Sequence, residues 1–449
     1  MNIKTNSKEI KKGDIFIALN GITKDGHDYI ESAIENGAEY IICEKGNYNK
    51  PFLKVDSTKK FLNDFLVNNF LPLIDDMKLI GITGTNGKTT SCFILYQLLN
   101  KLNIKAAYIG TLGFYIDSKI KDLDNTTPDI ITMYNLLLEC RKQNVKYVVM
   151  EVSSHSLKLD RLHGIKFDYT VFTNLTQDHL DFHKNMTDYL HSKLKLFDKL
   201  KENGISITNI DDEFSKYFKS DNNITYGFNN SDFKILGYNL YLDKVKYNFK
   251  YKNNTYRAKL NMPGKYNIYN SIISLIILNS IGIPIKKSIK LLNNIILPSG
   301  RMEIIKIKNS YAIIDYAHTP DAVLNVLKNV NEFKKGKVYT IIGCGGNRDK
   351  TKRKDMGQIS TDYSDYVIFT NDNPRNEKPK DIIDDITSEL SANNYEIIED
   401  RKNAIKRGIS MLKKEDILLI LGKGHENYQI INGIKYHFSD KEEVLKYIL

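Results

Sequence analysis

The sequence predicts an α/β protein of three domains, and two observations lead to that prediction. A chain of 449 residues, 41% of them hydrophobic, is too long for one hydrophobic core and can bury several. Short apolar runs alternate with helical segments along most of the chain, which is typical of parallel sheets covered by helices. We predict an N-terminal domain over 1–76, a central domain over 77–297 and a C-terminal domain over 298–449.

The N-terminal segment predicts a small α/β unit. Short apolar runs at Asp14–Ala18, Tyr40–Cys43 and Phe52–Val55 favour strands, and Tyr29–Asn36 favours a helix. The proline and the two aspartates of Leu71–Asp76 predict a linker to the next domain.

The rest of the chain predicts two larger sheets. In the central segment, buried-type runs such as Tyr147–Met150 and Tyr169–Phe172 favour a mostly parallel sheet. Asn222–Leu260 alternates polar and apolar residues at period two, so we expect antiparallel hairpins there. After Pro298–Gly300 we expect a doubly wound, Rossmann-like domain. Its predicted strands are Ala312–Ile314, Val338–Ile342, Tyr366–Thr370 and Ile417–Leu421.

Composition and charge argue against several classes of function. The formal net charge is +11, but the basic residues form no long block, so we expect no nucleic acid partner. A modest positive excess suits an acidic, phosphate-bearing substrate. The cysteines are far apart and lack C-x-x-C spacing, so they predict neither disulfides nor a zinc site.

No segment predicts insertion into a membrane. The longest apolar run, Ser271–Ile285, is too short to span a bilayer and is interrupted by Asn279 and Gly282. The first residues, Met1–Lys4, do not begin a signal peptide. We therefore expect a cytoplasmic protein, and we expect it to be a monomer.

The segment Gly84–Thr90 reads G-T-N-G-K-T-T and predicts a site for a nucleoside triphosphate. It follows an apolar run and precedes a helix predicted over Thr90–Leu102, so loop amides and the positive helix end would face a phosphate. Lys88 would supply a positive charge and Thr89 a ligand for Mg²⁺. Ile82 stands where the common G-x-x-x-x-G-K-[ST] pattern has its first glycine, so the loop is a variant of that pattern.

Polar residues follow two other predicted strands of the central domain, where open parallel sheets bind their ligands. Glu151, Ser153 and His155 come directly after the run that ends at Met150, and Glu151 is a candidate ligand for Mg²⁺. His179 lies in the N-L-T-Q-D-H-L-D-F-H stretch after the next strand. That stretch is consistent with a metal cluster or with a set of surface hydrogen bonds.

The T-T-P-D motif at 126–129 predicts the start of a helix. Thr127 has the side chain of an N-cap, and Pro128 suits the first helical position ahead of Ile130–Cys140. By itself the motif is equally consistent with a capped helix that has no further role.

A series of short motifs appears in the order in which Mur ligases carry them, from about Ser7 to Asp440. The motifs are G-T-N-G-K-T-T, T-T-P-D, E-V-S-S-H-S, F-T-N-L-T-Q-D-H-L-D-F-H, S-K-L-K-L-F, G-K-Y-N-I-Y-N, S-G-R-M-E, D-Y-A-H-T-P-D, G-C-G-G-N-R-D, D-N-P-R and G-K-G-H-E. Chance can produce one of them but not the whole series in order. The sequence most closely resembles the MurE type, which adds the third amino acid of the peptidoglycan stem peptide.

The resemblance implies an ATP-dependent amide ligase with a UDP-binding N-terminal domain, a central ATPase domain and a C-terminal amino-acid-binding domain. ATP would phosphorylate the terminal carboxylate of UDP-N-acetylmuramoyl-L-Ala-D-Glu, and the amine of a diamino acid would then displace phosphate. The implied catalytic residues are Lys88, Glu151, His179 and Lys193. The implied ligands for Mg²⁺ are Thr89, Glu151, His179 and Lys193.

The family lysine that matches Lys193 is carbamylated by CO₂, which turns a cation into a long carboxylate. Lys195 lies close by in the same S-K-L-K-L-F motif, so the register of this match stays open at the level of sequence.

The resemblance also implies three sets of binding residues. Those implied for ATP are Gly84, Thr85, Asn86, Gly87, Lys88, Thr89, Thr90, Asn267, Asn270, Arg301, Asp315 and His318. Those implied for the UDP-linked muramoyl dipeptide are Ser7, Thr126, Thr127, Ser153, Arg161 and Lys193. Those implied for diaminopimelate are Arg348, Asp372, Asn373, Arg375, Gly422 and Glu426.

Arg375, in the D-N-P-R motif, bears on which amino acid is added. In the ligases that this chain resembles, D-N-P-R accompanies meso-diaminopimelate and D-N-P-A accompanies lysine. Arginine can bind a distal carboxylate with two hydrogen bonds and would repel the ammonium of lysine. L-lysine and lanthionine stay open as alternatives, because some ligases with this arginine use lysine and lanthionine has the same charged groups.

Two readings of other classes also stay open. A folylpolyglutamate synthase-like ligase shares the G-T-N-G-K loop and the three-domain plan, but it leaves T-T-P-D, E-V-S-S-H and D-N-P-R unexplained. A non-catalytic ATP-binding protein would need no lysine carbamate and no acceptor pocket.

Overall fold

A computed structural model of the chain describes residues 3–21 and 24–448. Met1 and Asn2 belong to the segment Met1–Lys4, which was predicted not to begin a signal peptide, and they lie outside the described residues. Residues 22, 23 and 449, which fall in the first and last predicted domains, also lie outside them. Within the described ranges, no helix combines the length and apolar character needed to cross a membrane.

The N-terminal part is a small parallel sheet with helices. Its four strands lie side by side in chain order: β1 (Ile3–Lys4), β2 (Ile15–Ile17), β3 (Tyr40–Cys43) and β4 (Phe52–Lys54). Its helices are α1 (Ile30–Glu35) and α2 (Thr58–Phe70). The three predicted strands and the helix at α1 are confirmed with small changes at their ends. The sequence did not predict β1 or α2.

The central part is an 11-stranded sheet, parallel in its middle and antiparallel at both edges. Its strands are β5 (Lys78–Thr83), β6 (Ala106–Gly110), β7 (Gly113–Ile116), β8 (Ser118–Lys121), β9 (Tyr147–Glu151), β10 (Phe167–Phe172), β11 (Leu200–Asn209), β12 (Asn223–Gly227), β13 (Phe233–Leu240), β14 (Val245–Tyr251) and β15 (Asn254–Leu260). They lie in the order β15-β14-β13-β12-β11-β10-β5-β9-β6-β7-β8. The helices of this part are α3 (Lys88–Lys101), α4 (Ile130–Lys142), α5 (Ser154–Lys158), α6 (Met186–Leu194), α7 (Tyr266–Ser280) and α8 (Ile285–Leu292).

The hairpins predicted over Asn222–Leu260 are confirmed for β13, β14 and β15, which pair antiparallel. The prediction is wrong for β12, which is parallel to both of its neighbours. The chain crosses from β11 to β12 through the short 3₁₀ helix Glu213–Tyr217, so the two strands run in the same direction.

The C-terminal part is the predicted doubly wound domain. Its strands are β16 (Glu303–Ile307), β17 (Ser310–Asp315), β18 (Val338–Ile342), β19 (Tyr366–Phe369), β20 (Tyr395–Ile397) and β21 (Ile417–Leu421), in the order β16-β17-β21-β18-β19-β20. A separate hairpin joins β22 (Tyr428–Ile431) to β23 (Ile434–His437). The helices are α9 (Pro320–Phe333), α10 (Lys352–Tyr363), α11 (Pro379–Thr387), α12 (Arg401–Met411) and α13 (Asp440–Leu445).

Two hydrophobic cores cover the two faces of the central sheet. Successive residues of β9 point to opposite faces, so Val148 packs in one core and Val149 in the other. The core that contains Val148 also contains Leu62 and Leu66 of α2. The N-terminal part is therefore packed against the central sheet. In that sheet β10, β5 and β9 are parallel neighbours, so their carboxyl ends lie side by side.

Candidate active site

The loop between β5 and α3 has backbone conformations that favour glycine. The φ angles are +149° at Gly84 and +88° at Gly87, and a Cβ on Gly84 would lie 1.8 Å from Oγ1 of Thr173. The amides of Thr85 and Asn86 donate to the backbone and side-chain oxygens of Asn174, each over 2.8 Å. Asn174, which follows β10, thus engages these two amides in this structure, and the contact of the loop amides with a phosphate stays a prediction. The start of α3, at Lys88, offers its own amides to an anion.

Two lysines donate hydrogen bonds to the same carbonyl group. Nζ of Lys88 lies 2.8 Å from the oxygen of Gly84 and 2.9 Å from that of Thr85. Nζ of Lys193 lies 2.8 Å from the oxygen of Gly84. Burial, and then the neighbouring Lys88 cation, hold the pKa of Lys193 well below its usual range, and burial also lowers the pKa of Lys88. Lys195, the other candidate in the sequence, is exposed.

Glu151, at the end of β9, is fully buried and has hydrogen bonds on both carboxylate oxygens. Oε2 accepts from the hydroxyl of Thr89 over 2.8 Å. Oε1 accepts from the hydroxyl of Tyr108 over 2.5 Å and from the amide of Thr111 over 2.8 Å. A carboxylate and a hydroxyl held together beside the start of α3 are hard oxygen donors of the kind that bind Mg²⁺. No role was predicted for Tyr108, which lies within an apolar strand and carries no motif.

His179 follows β10 in the left-handed region, with φ of +56°. Its Nε2 lies 3.3 Å from Oδ2 of Asp178, and its ring meets the ring of His155 edge-on, with centroids 4.8 Å apart. Burial holds the pKa of His179 well below its usual range, which favours a neutral imidazole.

Asp178 was given no role from the sequence, yet it faces a lysine and a histidine of the C-terminal domain. Its carboxylate lies 3.6 Å from Nζ of Lys352 and 4.0 Å from Nε2 of His318. Burial raises its pKa, but His179, Lys352 and His318 together outweigh burial and lower it. In the part of the chain that the structure describes, no three His, Cys, Asp or Glu side chains are grouped to hold a metal ion. The metal ligands predicted from the sequence are not such a group, because two of them are the hydroxyl of Thr89 and the side chain of Lys193.

The central and C-terminal domains together line a cleft of about 590 Å³. The residues implied for ATP that line it are Thr85, Asn86, Gly87, Lys88, Thr89, Thr90, Asn267, Asn270, Arg301, Asp315 and His318. Glu151, His179 and Thr126 line it as well. The structure thus brings residues of the central domain and residues of the C-terminal domain together in one cleft.

The two asparagines of α7 are buried, and a hydrogen bond joins their side chains. Nδ2 of Asn270 donates to Oδ1 of Asn267 over 2.9 Å, and Nδ2 of Asn267 donates to the carbonyl of Pro263. Oδ1 of Asn270 accepts from the hydroxyl of Ser91 on α3 over 3.2 Å. They therefore tie α7 to the helix of the phosphate loop, and their contact with adenine stays a prediction.

Side chains of the C-terminal domain reach across the cleft to the loop. Nη2 of Arg301 lies 3.3 Å from Oγ1 of Thr89, and its guanidinium lies over the ring of Tyr316. Oδ2 of Asp321, at the start of α9, accepts from Nδ2 of Asn86 over 2.9 Å. The sequence did not predict Asp321, because its partner lies in another domain.

Asp315, at the end of β17, is fixed by its own loop. Its carboxylate accepts from the amides of Met302, over 2.8 Å, and Ala317, over 2.9 Å. Burial raises the pKa of Asp315.

The prediction that Thr127 caps a helix beginning at Pro128 is wrong. Helix α4 begins at Ile130 with Asp129 as its N-cap. The hydroxyl of Thr127 instead donates to the carbonyl of Glu151 over 2.8 Å, so a tertiary hydrogen bond has taken the group that would have capped the helix.

Two other residues implied for the UDP-linked substrate, Ser153 and Arg161, form hydrogen bonds with Thr127. The amide of Ser153 donates to Oγ1 of Thr127 over 3.0 Å, and Nη1 of Arg161 donates to the carbonyl of Thr127 over 2.9 Å. Ser7 is buried in the N-terminal part, where its carbonyl accepts from Asn36. Among the described residues, no hydrogen bond joins Ser7 to this cluster.

The residues implied for the amino acid lie at the carboxyl ends of β19 and β21. Nδ2 of Asn373 donates to Oε2 of Glu426 over 2.7 Å. The φ angle of Gly422 is +109°, and a Cβ there would lie 2.5 Å from Oδ2 of Asp372. Burial, and then the nearby Asp372, raise the pKa of Glu426. Asp372, Asn373, Gly422 and Glu426 therefore form one pocket.

Two arginines lie beside that pocket. Nη1 of Arg375 donates to the carbonyl of Gly346 over 2.8 Å, and a Cβ on Gly345 would meet both Arg375 and Arg348. Burial, and then the charge of Arg348, lower the pKa of Arg375. Nη1 of Arg348 also lies 3.6 Å from Oδ2 of Asp181 in the central domain. A ligand with a carboxylate and an ammonium would find complementary charges here.

A phosphate-binding loop faced across a cleft by a second α/β domain with its own charged pocket defines an enzyme that uses a nucleoside triphosphate to join two substrates. Comparisons of the sequence give the same result. Residues 82–278 match the Mur ligase middle domain, 300–424 the Mur ligase glutamate ligase domain and 1–67 the Mur ligase catalytic domain. The chain belongs to the Mur ligase family and is an ATP-dependent ligase.

Individual relatives cover the chain from end to end. It is 41% identical to a UDP-N-acetylmuramoyl-L-alanyl-D-glutamate–2,6-diaminopimelate ligase of Clostridium acetobutylicum, over 100% of this chain and 94% of that protein. It is also 41% identical to the ligase of the same name from Aquifex aeolicus, over 100% and 93%. A solved structure of a ligase with this name is 30% identical and has a TM-score of 0.69, over 99% of this chain and 94% of that one.

Proposed function

We propose that this protein adds meso-diaminopimelate to UDP-N-acetylmuramoyl-L-Ala-D-Glu in peptidoglycan synthesis. The observation that carries the proposal is the acceptor pocket, in which Arg375 and the carboxylate of Glu426 lie on either side of Asn373. A diamino diacid supplies a carboxylate for the arginine and an ammonium for the glutamate. The full-length relatives named for this reaction support it.

The reaction would have two steps. The terminal carboxylate of UDP-N-acetylmuramoyl-L-Ala-D-Glu attacks the γ-phosphorus of ATP, which releases ADP and forms an acyl phosphate. The amine of diaminopimelate then attacks the acyl carbon, loses a proton and expels phosphate. Lys88 and the amides at the start of α3 would offset the charge that develops during both steps.

The donors at the loop fit Mg²⁺, which supplies charge neutralisation between phosphate oxygens when it is bound. We propose that Thr89 and Glu151, whose oxygens are 2.8 Å apart, hold one ion. A second ion would lie near His179. The buried Lys193, next to Gly84 in the same loop, would join it as a carbamate, because carbamylation turns an amine into a carboxylate with oxygen donors.

Further assignments complete the proposal. The UDP-linked substrate would contact Ser7, Thr126, Thr127, Ser153, Arg161 and Lys193. The base, ribose and phosphates of ATP would contact Asn267, Asn270, Arg301, Asp315 and His318. We also propose that the domains divide after residues 76 and 297 and that the enzyme is a cytoplasmic monomer.

Release of ADP in the presence of candidate substrates tests the proposal. We expect turnover to require UDP-N-acetylmuramoyl-L-Ala-D-Glu and to be fastest with meso-diaminopimelate, compared with L-lysine and lanthionine. Faster turnover with lysine or lanthionine would correct the amino acid but keep the ligase. Turnover with a folate and glutamate, or none with any muramoyl substrate, would reject the proposal.

A further inference from the structure

Lys423 is a buried lysine in the acceptor pocket, and no part of the proposed chemistry uses it. It follows Gly422 in the loop after β21, and its side chain is 0% exposed. Its Nζ lies 3.1 Å from Oε2 of Glu426, 3.3 Å from Oδ1 of Asn373 and 3.9 Å from Oδ1 of Asp372. Burying a lysine is costly unless its charge is paired, so these contacts explain how the pocket tolerates it.

The three partners of Lys423 are all residues proposed to bind the amino acid. Asn373 donates to the same Oε2 of Glu426 that accepts from Lys423. Oδ1 of Asn373 accepts from the amide of Ile430 over 3.0 Å as well as from Lys423. Lys423 is therefore the point at which Asp372, Asn373 and Glu426 are connected.

The charges in this cluster do not balance without a ligand. Asp372, Glu426 and Lys423 carry a single net negative charge, which the ammonium of one bound amino acid would neutralise while its distal carboxylate neutralises Arg375. Without the ammonium of Lys423, the carboxylates of Asp372 and Glu426 would face each other with no cation between them, which disfavours the ionised form of Glu426.

We propose that Lys423 is a positioning residue that keeps Glu426 ionised and oriented to bind the distal ammonium of the acceptor amino acid. This inference rests on the proposed function. The inference extends that function, because selection for a diamino acid would then depend on Lys423, a cation that does not itself contact the substrate.

The other charged and titratable groups near Glu426 have different partners from Lys423. Arg401 forms a buried pair with Asp440 over 2.7 Å. Arg375 donates to the carbonyl of Gly346 and is the group proposed to bind the carboxylate of the ligand. Tyr316 and Tyr428 are phenols whose pKa values burial raises. Burial, and then Asp372, raise the pKa of Glu426, and Lys423 opposes both effects.

The test is the KM for meso-diaminopimelate as a function of pH, in the full-length enzyme and in Lys423→Met. Loss of the cation raises the pKa of Glu426, so the fall in KM with rising pH should move upward by about one pH unit or more. At pH values below the wild-type transition, an upward shift of about one pH unit corresponds to a KM increased about tenfold, with the KM for ATP unchanged. Lys423→Gln, which keeps a hydrogen-bond donor, gives the same test if the methionine variant does not fold.

Two further variants separate charge from structure. In a Glu426→Gln background, Lys423→Met should change the KM for diaminopimelate little, because the carboxylate on which the lysine acts is gone. Lys435→Met is the matched control, since Lys435 is exposed and lies 4.7 Å from the centre of the Tyr428 ring. It should leave the pH profile unchanged.

The outcomes are distinct. An active wild-type enzyme whose Lys423→Met and Lys423→Gln variants keep the wild-type pH profile would overturn the role of Lys423 and leave the proposed function intact. If Lys423→Met raised the KM for diaminopimelate equally in the wild-type and the Glu426→Gln backgrounds, that result would also overturn the role of Lys423. A wild-type enzyme without diaminopimelate-dependent release of ADP would reject the proposed function itself.

Discussion

The amine of Lys193 donates a hydrogen bond to the carbonyl oxygen of Gly84 over 2.8 Å and so joins α6 to the phosphate loop. The side chain is fully enclosed, with its Nζ 4.4 Å from the centre of the Tyr189 ring. Among the described residues no carboxylate forms an ion pair with Lys193, and a lysine this close to Lys88 is then unusual, because two cations repel and burial disfavours both. A carbamate on Lys193 would replace that repulsion by attraction.

Replacing Lys193 should therefore remove ligation. We expect Lys193→Ala to lower kcat by about 100-fold or more, because a ligand of the metal and a charge near the transferring phosphoryl group are both lost. A small carboxylic acid such as formate should restore part of the rate, since it can occupy the space of the carbamate. Lys195→Ala, on the exposed side of the same motif, is the control. Equal activity in both variants would contradict the assignment.

Lys88 is expected to act on the phosphoryl group itself. Lys88→Ala should lower ADP release by about 100- to 1,000-fold, the range typical for loss of one group that stabilises transition-state charge. Lys101→Ala, at the exposed opposite end of α3, should retain activity. Steady-state release of ADP measures both. A Lys88→Ala enzyme within a few fold of the wild type would show that the helix amides suffice.

Tyr108 holds the proposed magnesium ligand Glu151 through a 2.5 Å hydrogen bond. Tyr108→Phe keeps the ring and removes the hydroxyl, so we expect about 10- to 100-fold weaker binding of Mg²⁺, as for other residues that orient metal ligands. The measurement is the Mg²⁺ dependence of ATP binding by calorimetry, which needs no turnover. Tyr96→Phe, from the same aromatic cluster, is the matched control. An unchanged Mg²⁺ dependence would mean that Thr89 and Thr111 orient Glu151 without help.

The parts of the fold that could be predicted are those whose cause is local. β18 and β21 were predicted to the residue, because a strand buried on both faces is a continuous apolar run. Helix α2 was missed although Phe61, Leu62, Phe65 and Leu66 recur at helical spacing, because the asparagines of the segment lower its intrinsic helix propensity. Packing of Leu62 and Leu66 against the core of the central sheet supplies stability that this propensity does not reveal.

The same distinction separates the predicted site residues from the missed ones. The loop from Gly84 to Thr90 carries its chemistry in consecutive residues. The role of Tyr108 comes from Glu151, 43 residues along the chain, and the pocket around Lys423 includes Asn373, which is 50 residues away, as well as the nearby Glu426. Thr127 was misjudged for a related reason, since the carbonyl of Glu151 outcompetes the helix for its hydroxyl. Sequence therefore indicates which groups are present, and the fold decides which of them meet.

Arg375 should decide between diaminopimelate and lysine. Its guanidinium lies beside the acceptor pocket, on a residue held in the left-handed region with φ of +53° by hydrogen bonds to the β22–β23 hairpin. Arg375→Ala should raise the KM for meso-diaminopimelate by about tenfold to a few hundredfold, the effect of losing a charged hydrogen bond worth about 1.5–3 kcal/mol. Lysine has no distal carboxylate and should lose nothing, so the ratio of kcat/KM for the two amino acids should collapse towards one. Arg407→Ala, an exposed arginine paired with Glu396, controls for loss of positive charge. If Arg375→Ala still discriminates against lysine as the wild type does, selection must come from the opposite end of the pocket, at Glu426 and Lys423.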